Sequence, residues 1–311
     1  MLALQESIND NCQAAAYFET HDGERCLVQR AYPDGHVLHY EGAKSEEHLV
    51  YITFRDDDRV DHYEGAKDKE RKVRMVKPGV QVQHYEGPMG EEHRVGVTFP
   101  NGSVFHFEGP KGKEHRVSIE YPNGPVLHYE GAMDEEHLVR IVESEGGRVE
   151  HFAGAMGQER RVRTVHPDGL VQHWEGPKDE EHMVRRVHPD GLVQHFKGAT
   201  GEECMVRVAT LDPLLVQHWE GPKDEEHMVR RVHPNDVAEY FEGAQGDERM
   251  VRRVYPCGRV LHFTGPRDEE YVWCSVQPDG QVQLWQGTRG NERLVHGNLA
   301  GRDLLVPRQA G

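Results

Sequence analysis

Apolar and polar residues alternate along this chain in short, Val-rich runs broken by Gly and Pro. That period of two is the signature of β-strands, whose successive side chains point to opposite faces. A 3.6-residue period is absent except in the first 16 residues, whose pattern allows a short helix. The runs belong to a tandem repeat. Aligned on the Gly that closes each aromatic-Glu-Gly block, the anchors are Gly42, Gly65, Gly87, Gly109, Gly131, Gly154, Gly176, Gly198, Gly221, Gly243, Gly265 and Gly287, spaced by 22 or 23 residues. Two positions before each anchor stands Tyr, Phe or Trp, and three before stands His in ten of the twelve. Val stands five before except at Ala238, and eight after except at Trp273. Val171–Pro189 recurs unchanged at Val216–Pro234.

Two kinds of turn separate the runs. One is Pro-Asp-Gly or Pro-Asn-Gly, as at Pro33-Asp34-Gly35, Pro100-Asn101-Gly102 and Pro167-Asp168-Gly169; the other is Gly-Pro-Lys-Asp-Glu-Glu, as at Gly176–Glu181. Pro sets φ at the first central position, and Gly accepts positive φ at the exit, which predicts a type I turn with a glycine bulge. The fold class predicted is all-β: an elongated antiparallel meander of about 12–13 hairpins in a single-layer twisted sheet. Its parts are an N-terminal segment 1–16, a repeat array 17–297 and a tail 298–311. About 24 strands at about 4.8 Å each would span roughly 110–120 Å if straight.

The first kind of turn also predicts a register. If His166 pairs with Leu170, then Arg163 lies opposite His173, Val162 opposite Trp174 and Arg161 opposite Glu175. One face would then carry the aromatic and Val columns, and the other an Arg–His–Glu lattice with Val165 and Val171 near the turn.

Composition narrows the function classes. Hydrophobic residues are 36% of the chain and charged residues 29%, too little apolar material for thick globular cores, whereas 8% aromatics argues against disorder. The formal net charge of −17 argues against nucleic acid, and it leaves membrane association only as an indirect contact. The 22 histidines make charge state a pH-sensitive property. Cys12, Cys26, Cys204, Cys257 and Cys274 do not follow the repeat and read as thiols, which with the unbasic N-terminus points to an intracellular, reducing compartment.

Tyr40-Glu41-Gly42, Tyr85-Glu86-Gly87 and Tyr129-Glu130-Gly131, with turns such as Pro122-Asn123-Gly124, resemble the Membrane Occupation and Recognition Nexus (MORN) repeat across residues 17 to about 297. The resemblance implies two antiparallel strands per repeat and members that act as scaffolds, dimeric linkers and membrane-proximal tethers. This chain departs from that pattern at Lys111 and Lys178, where the family has an aromatic residue, and at Val184–Val187, where it has Gly-x-Gly.

The candidate chemistry is repetitive. His-x-Glu pairs such as His173/Glu175 and His218/Glu220 are the one metal-binding alternative, against a structural lattice covering a polar face. A second His column (His48, His93, His115, His137, His182, His227) interchanges with Arg at Arg71, Arg160, Arg249 and Arg293, which argues against ligation. Acidic loops such as Asp179-Glu180-Glu181 lack calcium-site spacing and read as solubilising. No residue reads as catalytic, and no cofactor is implied. The repeat breaks at Tyr271 and Trp273, with Trp273 expected to face Trp285; these three read either as an end cap of the array or as the contact for a protein partner or second copy. The function expected is a non-enzymatic scaffold or interaction module.

Overall fold

Each hairpin is closed by the turn its sequence demands. At Pro167-Asp168-Gly169 the His166 N–H donates to the Leu170 carbonyl at 2.8 Å, and the Gly169 N–H donates to the His166 carbonyl at 2.9 Å. Gly169 takes φ 85°. The Asp168 carboxylate accepts the Leu170 N–H at 3.0 Å, so the turn side chain also seals the bulge. The second turn closes with the Glu180 N–H donating to the Pro177 carbonyl at 3.2 Å and Asp179 at φ 67°.

The computed structural model describes residues 3–4, 14–21, 24–144, 146–211 and 214–299. They are strands and turns, with no helix among them. The chain divides into two compact units, Met1–Glu159 and Arg160–Gly311. In the first, strands from Ala3–Leu4 and Ala15–His21 to Val149–Ala153 follow one another as an antiparallel meander. The second is the same kind of meander, from Arg160–Val165 to Arg293–Leu299. Within each unit, every strand pairs with its neighbours in sequence, among the described residues. Most of the expected helical segment 1–16 lies outside the described residues. Its described part is strand, with Ala3 paired to Phe18 and Leu4 to Tyr17. The tail 300–311, with Leu304-Leu305-Val306, also lies outside them.

One expectation about register fails, and the failure reorganises both faces. Arg163 does pair with His173, but that ladder stops there. Trp174 and Glu175 pair instead with the following strand, as Trp174 with Met183 and Glu175 with His182, and the register slips between His173 and Trp174. The same slip recurs at His128/Tyr129, His195/Phe196 and His262/Phe263. A β-bulge places two residues against one. Here Val184 is the extra residue, and it turns onto the His face, where it lines a groove with His173, Arg185 and His195. The Val column eight residues after the anchor therefore does not share the aromatic face. The residue one position earlier does: the Arg161 guanidinium lies 3.9 Å from the centre of the Trp174 ring, Arg94 4.0 Å from Phe107 and Arg116 4.0 Å from Tyr129. Each such cation–π contact contributes about 0.5–2 kcal/mol.

The core is correspondingly thin. Val97, Ile119 and Leu261 are buried on the aromatic face, and the most completely buried side chains are the small Thr164 and Ser275. The aromatic column itself is half-buried.

Candidate interaction surface

The turn edge is tied together by a contact that the sequence reading missed. In most repeats the Glu five residues after the anchor accepts a backbone N–H from the preceding repeat. Glu181 accepts from Arg161 at 3.2 Å, Glu136 from Arg116 at 3.1 Å and Glu270 from Met250 at 3.0 Å. Glu114 accepts from Arg94 at 3.3 Å and from Gly112 at 2.9 Å. The bulge explains the need: the N–H donated lies just past the end of the ladder, where no strand carbonyl reaches it. Partial burial alone would raise the Glu114 carboxyl, but three backbone N–H bonds and the Arg94 charge outweigh it and hold the group below the usual range. The cations of these acidic loops also cross between turns, Lys67 to the Ser45 carbonyl at 3.0 Å, Lys111 to Gly90 at 3.0 Å and Arg289 to Asp268. The loops read as merely solubilising thus splice successive repeats. The signal was available, since this Glu is present in all twelve repeats whereas the acidic residue before it varies.

On the aromatic face, acidic residues replace the usual Gln or Leu four positions before the anchor at Asp61, Glu150 and Glu239, at four-repeat intervals. Asp61 is buried beside Lys72 at 3.0 Å and Arg59 at 3.5 Å. Glu239 is 7% exposed and receives Arg253 through Nε at 3.1 Å and Nη2 at 2.8 Å. His233 Nε2 lies 2.9 Å away and Arg231 3.7 Å. Burial pushes the Glu239 carboxyl up, and the His233 and Arg253 bonds and charges more than reverse it.

The opposite face carries the His column. In the second unit it forms a row of directly paired residues across successive strands: Arg163, His173, Arg185, His195, Arg207, His218, Arg230. Burial and then the neighbouring arginines push His173, His195 and His218 below the ordinary histidine value. The expected Arg–His–Glu lattice is corrected accordingly: Glu175 faces His182, and Arg161 lies on the other side over Trp174. The metal alternative fares no better. His173 and Glu175 sit four strands from His218 and Glu220, and no group of three ligating side chains converges among the described residues.

The C-terminal aromatics do not meet as expected. The ladder between their strands ends at Cys274–Leu284, and Trp285 pairs onward with Leu294. Trp273 occupies the bulge position and turns to the His face, 6.1 Å from the His262 ring. Tyr271, paired with Thr264, shares that face.

No protein-family model and no curated protein matches the chain. Among solved structures it is matched to toxin-complex chains. One is the TcdB2-TccC3-TEV crystal structure, at 9% identity, 88% coverage of this chain and TM-score 0.19. Another is the Photorhabdus luminescens Tc holotoxin pore, at 8% identity, 90% coverage and TM-score 0.19. The chain spans 21% and 22% of the length of those chains. At that TM-score the likeness carries no argument about function.

Proposed function

We propose that this chain is a non-enzymatic repeat scaffold of the MORN kind that holds a protein partner or a second copy of itself, within an intracellular assembly. The observation that supports the reading is the division of labour among its polar groups. In most repeats the turn Glu is committed to splicing repeats, and the buried Asp61 and Glu239 are committed to ion pairs. The Arg–His row and the half-buried aromatic column remain as long, periodic, solvent-accessible features of the kind repeat proteins use for binding. Tyr271 and Trp273 on the His face, with Trp285 on the other, are the place in the last repeats where we put a specific contact. Affinity capture of the intact chain after crosslinking, with light scattering on the purified protein, tests the reading. A defined complex or a dimer supports it. An inert monomer without partners overturns it.

A further inference from the structure

We propose that the His-bearing face of the second unit is a docking groove for an extended acidic segment of a protein partner, with Arg185, Lys197 and Arg207 as its cations around His195. This rests on the scaffold reading above and names the chemistry of its partner.

The groove encloses about 600 Å³ and is lined by Arg185, Lys197, the imidazoles of His173, His182 and His195, and the bulge valines Val184 and Val206, with Glu175 the one carboxylate among its lining residues. Its arginines carry no carboxylate within ion-pair distance among the described residues. Arg163, Arg185 and Arg207 are exposed. Lys197 breaks the repeat at this point: the flanking repeats have Glu175 and Glu220 there, and across the ladder Cys204 replaces the usual His or Arg. The corresponding row of the first unit is less basic: it keeps Arg74 and Arg140 but has Tyr51, Gly96 and Ser118 at the other arginine positions. Burial holds the His195 imidazole below the ordinary histidine value, and the Arg207 and Arg185 charges add to it.

Guanidinium groups match carboxylates in a fixed fork geometry. The spacing selects the form of the ligand. Neighbouring strands lie about 4.8 Å apart, so an Arg on every second strand recurs at about 9.6 Å. A polyproline II segment advances about 3.1 Å per residue with three residues per turn, so an acidic residue at every third position recurs on one side at about 9.3 Å. Such a segment, laid across the strands, would meet successive arginines in step, with its intervening residues against Val184 and Val206. A long phosphate chain fits less well. Its affinity depends on many cations, and this row offers an arginine only on every second strand.

The test is a titration of the intact purified protein with a labelled twelve-residue peptide of repeating Glu-Pro-Pro, at low and at physiological salt. The informative variant is Lys197→Glu, which restores the residue of the flanking repeats and therefore preserves the fold. Saturable binding that weakens by about tenfold or more in Lys197→Glu, but stays within about twofold in the equal charge change Lys113→Glu on a first-unit turn, supports the groove. On binding, the His195 imidazole pKa, followed by NMR, should rise. Four results overturn the proposal: no binding to wild type, Lys197→Glu binding as wild type does, Lys113→Glu weakening it equally, or oligothymidylate of matching length binding more tightly than the peptide. If the peptide fails while wild type and Lys197→Glu capture the same partners, the scaffold reading stands and the groove does not.

Discussion

The Glu splice between turns gives a local prediction. Glu114→Ala removes the acceptor for the Arg94 and Gly112 N–H groups. The Gly112 N–H is exposed and finds water, but the Arg94 N–H is partly buried beyond Gly96, where pairing with the following strand ends. Losing a hydrogen bond to a charged acceptor costs about 1.5–3 kcal/mol when the donor stays buried, and partial exposure places this one at the low end, about 1.5 kcal/mol. Glu114→Gln keeps a neutral acceptor of roughly half the strength, so it should cost well under 1 kcal/mol. Repeat arrays respond through nearest-neighbour terms, so the effect should stay local. Native-state hydrogen exchange reads it directly: the Arg94 amide should exchange about tenfold faster in Glu114→Ala and only a few-fold faster in Glu114→Gln. The Met183 amide, held by Glu203 in the second unit, should be unchanged. Unchanged exchange at Arg94, or an equal acceleration at both amides, would refute the reasoning.

Other consequences follow from the same geometry. Burial and arginine charge lower His62, His128, His173 and His218 in the folded state. The unfolded chain therefore takes up protons first as pH falls below the ordinary histidine value of about 6.5; the melting temperature should fall from pH 7.5 to 5.5, and a rise would contradict the assignment. The Glu92, Glu114 and Glu203 carboxyls are lowered as well, their backbone hydrogen bonds outweighing burial, so a second loss of stability should appear below about pH 4.5 in the same melts. Glu239→Gln strands Arg253, Arg231 and His233 around a neutral group; breaking a buried pair costs about 3–5 kcal/mol and these cations are partly exposed, so about 2 kcal/mol is expected in urea unfolding of the second unit. Gly198→Ala drives a Cβ into the Glu202 carbonyl oxygen at φ 130° and should cost about 2–3 kcal/mol. Gly201→Asp, at φ 82° with open space around it and Asp179 in the equivalent turn position, should be neutral within about 0.5 kcal/mol in the same assay.

The meander was legible because turn chemistry and alternation are local signals. Pro167-Asp168-Gly169 specified its hairpin, and the Arg163–His173 pairing followed. The bulge was not legible. A bulge is a slip between two strands, set by how the second turn meets the ladder, and no single run of residues announces it. That one missed residue per repeat moved the Val column and Trp273 to the His face and brought Arg161 over Trp174. The candidate site suffered in the same way. His173 and His218 were visible as a column, but their true neighbours are arginines, because the Glu two residues on pairs with another His. The Glu splices connect residues 20 or 21 apart, one repeat less the offset within it, and invariance in the acidic loops was their sole trace in sequence.

The scaffold reading is tested most directly by the oligomeric and bound state of the intact chain in the cells that make it. Crosslinking in place, capture and light scattering of the purified product should give a complex of defined stoichiometry with a partner protein or a second copy. A monomer that crosslinks to nothing and elutes alone would contradict the account.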